Sequence, residues 1–124
     1  MPVVVDTSFL IDHARGKPSA AAALEKLLAA QETLLIPSIV AAEFLGGLAA
    51  PARGLAVLSE AGDVSDFTAA DAVAAAEIAR DAVAQGRFPG WLDVMIAGFA
   101  KARGDLPIVT ANARHFPAAR TIAY

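Results

Sequence analysis

Four polar residues stand where apolar segments begin or end: Asp6, Glu43, Asp93 and Asn112. Asp6 follows the run Val3-Val4-Val5, and Asn112 comes just after the apolar stretch Leu106–Thr110. Asp93 opens the apolar segment Leu92–Ala100, and Glu43 sits about one turn into the segment Ile39–Leu45. Three carboxylates and an amide offer only hard oxygen donors. If they meet, each like-charge pair repels by roughly 4 kcal/mol at ~4 Å and an effective dielectric of ~20. Either one acid takes up a proton, or a divalent cation binds. Mg²⁺, with Mn²⁺ able to substitute, suits oxygen ligands better than Zn²⁺ does. Such an ion can activate water and neutralise a phosphodiester. For Asp6 alone a second role stays open, because Asp is also a favoured helix N-cap.

Whether the four meet depends on the elements that carry them. Val3–Val5 reads as a strand buried on both faces, as in a parallel sheet. Thr7-Ser8-Phe9-Leu10-Ile11 turns into a helix, ended by Gly16 and Pro18. Ser19 is the expected N-cap of a second helix over Ala20–Ala30, with Leu24, Leu27 and Leu28 on one face. Thr33–Ile36 reads as a short buried strand stopped by Pro37, and Ser38 as the N-cap of the helix that carries Glu43. Pro51–Ala61 is a further helix closed by Gly62, and Val64–Phe67 a weak edge strand.

Thr68 and Asp71 have capping-box spacing for a helix running to about Ala84, with Asp71, Glu77 and Asp81 read as a cap and a solvated face. A loop over 85–91 precedes the helix Leu92–Ala100, then come the strand Leu106–Thr110, a turn or short helix over 111–117, and a last strand over Thr121–Ala123. The alternation predicts an α/β fold: one domain over 1–124, with a mainly parallel sheet and helices on both faces. In such sheets helices start near the carboxyl edge of the strands, where ligands bind. Asp6, Glu43, Asp93 and Asn112 can all reach that edge. Asp105 precedes its strand and belongs at the opposite one.

Composition narrows the classes. The chain has 124 residues, enough for one core, and 31 of them are alanine, which points to closely packed helices. No run approaches the ~18 apolar residues of a membrane span, and Asp6 interrupts the first apolar run too early for a secretion signal. Cysteine is absent, which excludes disulfides, zinc–thiolate sites and Cys nucleophiles and makes a cytoplasmic location the expectation. The net charge of −3 is unusual for a protein that grips nucleic acid by charge alone.

The segments VVVDTSFLID, PSIVAAEFLGGL, GWLDVMIAG and IVTANARHF resemble, in order and spacing, the successive motifs of PIN-domain ribonucleases, specifically VapC-like toxins of toxin–antitoxin pairs. The resemblance spans essentially the whole chain. It implies a five-stranded parallel sheet, a metal-dependent endoribonuclease acting on RNA, homodimerisation, and inhibition by a cognate antitoxin protein. On this likeness Asp6 and Asp93 correspond to metal-holding aspartates and Glu43 to the third acid. Thr7 or Ser8, with Thr110, correspond to hydroxyls that hold the acids or a water. Asn112 stands where many PIN domains have Asp; an amide ligates without charge, so one resident ion is expected.

Arg15, Lys17, Arg87 and Arg114 flank loops near the expected cleft and are candidate RNA contacts, with solvated surface charge as the alternative. His115 reads as a packing or hydrogen-bonding residue rather than a general base. Trp91 and Phe88 fit the core or a dimer contact better than base stacking. Two other functions compete with RNA cleavage. Aspartyl phosphotransfer usually needs a second Asp two residues after the nucleophile, where Ser8 stands here. A catalytically weak binding module that regulates a partner would keep the fold and lose the metal.

Overall fold

The computed structural model describes residues 1–124. Five strands form one sheet: β1 (Val3–Val5), β2 (Leu34–Pro37), β3 (Asp63–Ser65), β4 (Ile108–Val109) and β5 (Thr121–Ile122). Their order is β3-β2-β1-β4-β5, and every neighbouring pair is parallel. Six helices connect them: α1 (Thr7–Ala14), α2 (Pro18–Ala29), α3 (Ser38–Leu45), α4 (Pro51–Ala61), α5 (Ala69–Ala84) and α6 (Trp91–Lys101). A short 3-10 turn covers Ala113–His115. From β1 the chain moves outward through β2 to β3, then returns past β1 to β4. The right-handed rule for parallel crossovers assigns α1–α4 to one face and α5 and α6 to the other. The reversal makes the gap between the carboxyl ends of β1 and β4 the topological switch point, where ligands bind in open α/β sheets.

The apolar runs account for the core. Val4, Ile108 and Val109 are wholly buried in adjacent central strands, with Ile36, Val40, Ile96 and Phe99 against them. Gly98 lets α6 close on α5: a Cβ there would lie 2.5 Å from the Ala75 backbone nitrogen. No helix is long and apolar enough to cross a membrane.

Local boundaries differ from expectation for identifiable reasons. The second helix begins at Pro18, with Lys17 rather than Ser19 at the cap position. Proline has no N–H to leave unpaired and a φ already suited to the first helical position. Ser38 likewise lies inside α3, and its hydroxyl accepts the Phe67 amide at 3.0 Å instead of capping its own helix. The third strand sits at Asp63–Ser65, because its pairing with β2 ends where Pro37 meets Ser65. Strand β4 is shorter than the apolar stretch around it. Thr68 and Asp71 do form a reciprocal capping box. Beyond that cap, Asp71 is buried and its Oδ1 accepts from Arg103 Nη1 at 2.7 Å. Glu77 and Asp81 are exposed.

Candidate functional site

Asp6 leaves β1 in an extended conformation and caps α1, its Oδ1 accepting the Phe9 amide at 3.2 Å. The same oxygen accepts the Ser8 hydroxyl at 2.6 Å. Oδ2 accepts the Thr110 hydroxyl at 2.5 Å, across the switch point from the end of β4. Thr110 is wholly buried and its Oγ1 also accepts the Asn112 amide at 2.9 Å. Ser8 Oγ accepts the Ala111 amide at 3.2 Å. The two turns that follow β1 and β4 are therefore tied together through one carboxylate that is only 5% exposed.

In front of Asp6 lies an open cleft of about 480 Å³, lined among others by Ser8, Glu43, Asp93, Asn112 and His115. The sheet topology thus brings to one place the acids that sit 37 to 87 residues apart in the chain. Glu43 is exposed, one turn into α3, and Asp93 is half-buried in the first turn of α6. Burial, first, pushes the Asp93 carboxyl above its ordinary range; His115 opposes that rise, while the negative charges of Asp6 and Glu43 add to it. His115 Nδ1 lies 3.5 Å from Asp93 Oδ2. The two side chains face each other across the cleft at ion-pair distance.

No group of three His, Cys, Asp or Glu side chains closes tightly enough to hold an ion among them. The donor set still fits Mg²⁺, which keeps several waters and is commonly held by one or two carboxylates. Asp6 has about four lone-pair sites and three protein donors on them, so a site on Oδ2 remains. Thr7, which lines the same cleft, keeps a buried hydroxyl with no hydrogen-bond partner. That orphan suits a hydrated occupant.

The predicted cations lie further out. Arg15, Lys17 and Arg114 are exposed and do not line the acidic cleft. Lys17 Nζ is 3.6 Å from Asp12 Oδ2. Arg87 lines an adjoining cavity of about 390 Å³ that shares Pro89, Asp93 and His115 with the cleft. One neighbour of the site escaped sequence reasoning. The Tyr124 hydroxyl donates to Asp12 Oδ2 at 2.7 Å and its ring meets Phe9 edge-on at 5.2 Å. No local pattern announces a contact between residues at opposite ends of the chain.

Three comparisons bear on this geometry. The family model for the PIN domain matches residues 3–121. The chain is 36% identical over 119 residues to the tRNA(fMet)-specific endonuclease VapC of Shigella flexneri, covering 91% of this chain and 88% of that protein. Among solved structures, DNA-bound VapBC from Salmonella typhimurium matches with a TM-score of 0.81 and 30% identity, covering 99% of this chain and 98% of that one. VapBC2 from Rickettsia felis, bound to a promoter DNA fragment, matches with a TM-score of 0.84 over the whole of this chain and 99% of that one; at 22% identity it speaks to the fold alone.

Proposed function

The chain is a VapC-like member of the PIN-domain family, and from that premise we propose that it is a Mg²⁺-dependent endoribonuclease, the toxin of a toxin–antitoxin pair. The observation that carries the reading is Asp6: a buried carboxylate, fixed at the switch point by three donors, in one cleft with Asp93 and Glu43. Asp6 and Asp93 would hold Mg²⁺, or Mn²⁺ in its place. When bound, that ion supplies an activated water and offsets charge on the phosphodiester.

The chain's own groups do the rest. Ser8 and Thr110 fix the orientation of the Asp6 carboxylate, so that it need not reorganise when substrate arrives. His115 faces Asp93 and favours its charged form against the burial that opposes it. Glu43, exposed in the cleft, orients the attacking water, and Asn112 offers an uncharged amide at the rim. With Asn112 in place of an acid, the site would hold one resident ion. Arg87, beside the adjoining cavity, is the best placed of the four predicted cations to meet phosphate.

The substrate class is RNA, as the name of the Shigella relative suggests. The VapBC complexes among the structural matches support an antitoxin protein as partner. A homodimer is the assembly we expect.

The test is cleavage of RNA by the purified chain in Mg²⁺, compared with its Asp6→Asn variant. The variant should lose cleavage; undiminished activity would remove Asp6 from the mechanism. Mg²⁺ at ~100 times its dissociation constant should also stabilise the fold by about 2.7 kcal/mol. An unchanged melting temperature in millimolar Mg²⁺ would favour a metal-free binding module.

A further inference from the structure

We propose that Trp91 and Phe88 form a platform on which an unpaired base of an RNA strand stacks at the mouth of the acidic cleft, an inference that rests on the ribonuclease reading. Trp91 is the first residue of α6 and lines the cleft two residues before Asp93. It is 60% exposed, and Phe88 is 39% exposed. The other aromatic rings are less exposed: Phe9, Phe99 and Phe116 are buried and Phe44, Phe67 and Tyr124 half-buried. Phe88 meets Trp91 edge to face, 5.5 Å between centroids and 73° between planes. That contact steadies the rings against each other and leaves most of the indole in water. Gly90, at φ +118, sets the turn between them, a conformation that side-chain-bearing residues rarely adopt.

The charge of the cleft says what kind of contact an RNA strand would need here. The cleft presents Asp6, Glu43 and Asp93, and Arg15, Lys17 and Arg114 do not line it; the whole chain carries −3. Fixed cations therefore offer little to a polyanion here, and a nucleic acid needs an uncharged source of affinity beside the acids. Base–aromatic stacking is that source, and it tolerates any sequence because every base has a π-face. Arg87, next to Phe88 on the same loop and held by Gln85, adds one cation where the strand would leave the platform. Bases in a duplex have both faces covered by their neighbours, so the platform selects single-stranded segments.

Trp91 is the only tryptophan, so its fluorescence reports this position alone. The full chain carrying Asp6→Asn, in Mg²⁺, is titrated with a short single-stranded RNA, with the same strand as a duplex, and with a strand carrying abasic positions. Quenching is expected with the intact single strand and little with the other two. In the same background Trp91→Ala should weaken binding about 5- to 150-fold, the range spanned by one stacked base, and Trp91→Phe should restore most of it. In the otherwise native chain, Trp91→Ala should raise KM more than it lowers kcat. Both variants should melt close to their parents, since the ring is exposed. Cleavage of RNA without quenching, or unchanged affinity in Trp91→Ala, overturns the platform and leaves the ribonuclease reading intact. A concentration-dependent blue shift without RNA shows a second copy of the chain covering the rings, and also overturns it. Absence of both quenching and cleavage overturns the functional reading together with the platform.

Discussion

Replacing Thr110 by valine tests the bond that joins the two halves of the site. Valine keeps the branched shape, so the wholly buried position stays filled and no cavity is expected. What is lost is the hydroxyl that donates to Asp6 Oδ2 at 2.5 Å and accepts from the Asn112 amide at 2.9 Å. A hydrogen bond to a charged group contributes about 1.5–3 kcal/mol. Asp6 is only 5% exposed, so water cannot readily replace the donor on Oδ2, whereas the Asn112 amide is nearer solvent and can be hydrated. Asp6 keeps its bonds from Ser8 and the Phe9 amide, which limits the damage. The expected loss is about 2–3 kcal/mol, a large part of the ~5–15 kcal/mol that holds a domain together. That corresponds to a fall in melting temperature of roughly 6–15 °C. Urea unfolding followed by circular dichroism measures it, with an unchanged slope showing that the unfolded state is unaltered. Thr110→Ser, which keeps the hydroxyl, should lose only about 1 kcal/mol for the missing methyl. A Thr110→Val protein within ~0.5 kcal/mol of the parent, the range of an ordinary surface change, would refute the argument that this bond fixes Asp6.

Three further outcomes follow from features away from the acids. Gly98→Ala should destabilise by about 2 kcal/mol or more despite alanine's helix propensity, because its Cβ would meet the Ala75 backbone at 2.5 Å and backbone cannot yield as a side-chain tip can; a variant as stable as the parent in urea would show that α5 and α6 separate freely. Arg103→Met removes the partner of buried Asp71 and the guanidinium 3.4 Å above the Phe99 ring. Breaking a buried pair costs ~3–5 kcal/mol, and the partial exposure of Arg103 lowers the expectation to about 2–3 kcal/mol, again read by urea unfolding; a change under ~0.5 kcal/mol would mean Asp71 is satisfied by the Thr68 cap alone. Tyr124 is the only tyrosine, and burial, with the hydrogen bond it donates to the Asp12 carboxylate, holds its hydroxyl well above the ordinary range. A raised folded-state pKa means that its contribution is complete below ~pH 10 and declines as pH rises beyond that. Stability should therefore fall more gently with alkali in Tyr124→Phe, and an absorbance titration showing ionisation at the ordinary value would contradict the contact.

What the sequence made legible was whatever follows from period and topology. Three β-branched residues ending in Asp6, and a second apolar strand ending near Thr110, locate the carboxyl edge of a parallel sheet without any knowledge of contacts. Helices that begin at that edge then carry Glu43 and Asp93 toward it. Contacts that depend on how elements dock were hidden. Asp71 and Arg103 are 32 residues apart and meet only because Gly98 lets α6 sit close on α5, so the capping role of Asp71 was legible but its burial and its ion pair were not. Tyr124 and Asp12 are 112 residues apart. The cations were hidden for another reason: Arg15, Lys17 and Arg114 do not line the cleft, and a position beside a loop or helix end does not say which way a long side chain faces. Trp91 was assigned to the core or a dimer contact because tryptophan usually has a packed surface, and its exposure in the folded chain removes the core from that choice.

The choice between cap and ligand at Asp6 looked open from sequence because it is not a choice. A carboxylate has two oxygens with about four lone-pair sites, and the fold divides them. Oδ1 serves the backbone, taking the Phe9 amide as helix cap and the Ser8 hydroxyl beside it. Oδ2 takes only the Thr110 hydroxyl. The cap and Thr110 thus lock the rotamer from both sides of the switch point and leave free the one site on Oδ2 that a cation would use. An N-cap tolerates Asn or Ser about as well as Asp, so capping alone does not require a charge here. Asp6→Asn should then keep the cap through its amide oxygen, lose up to the ~2–3 kcal/mol of the Thr110 bond that its NH2 cannot accept, and lose cleavage altogether. Thr110→Val, with the same stability loss but its acid intact, should keep measurable cleavage, and that contrast is what distinguishes a carboxylate with two functions from one that merely starts a helix.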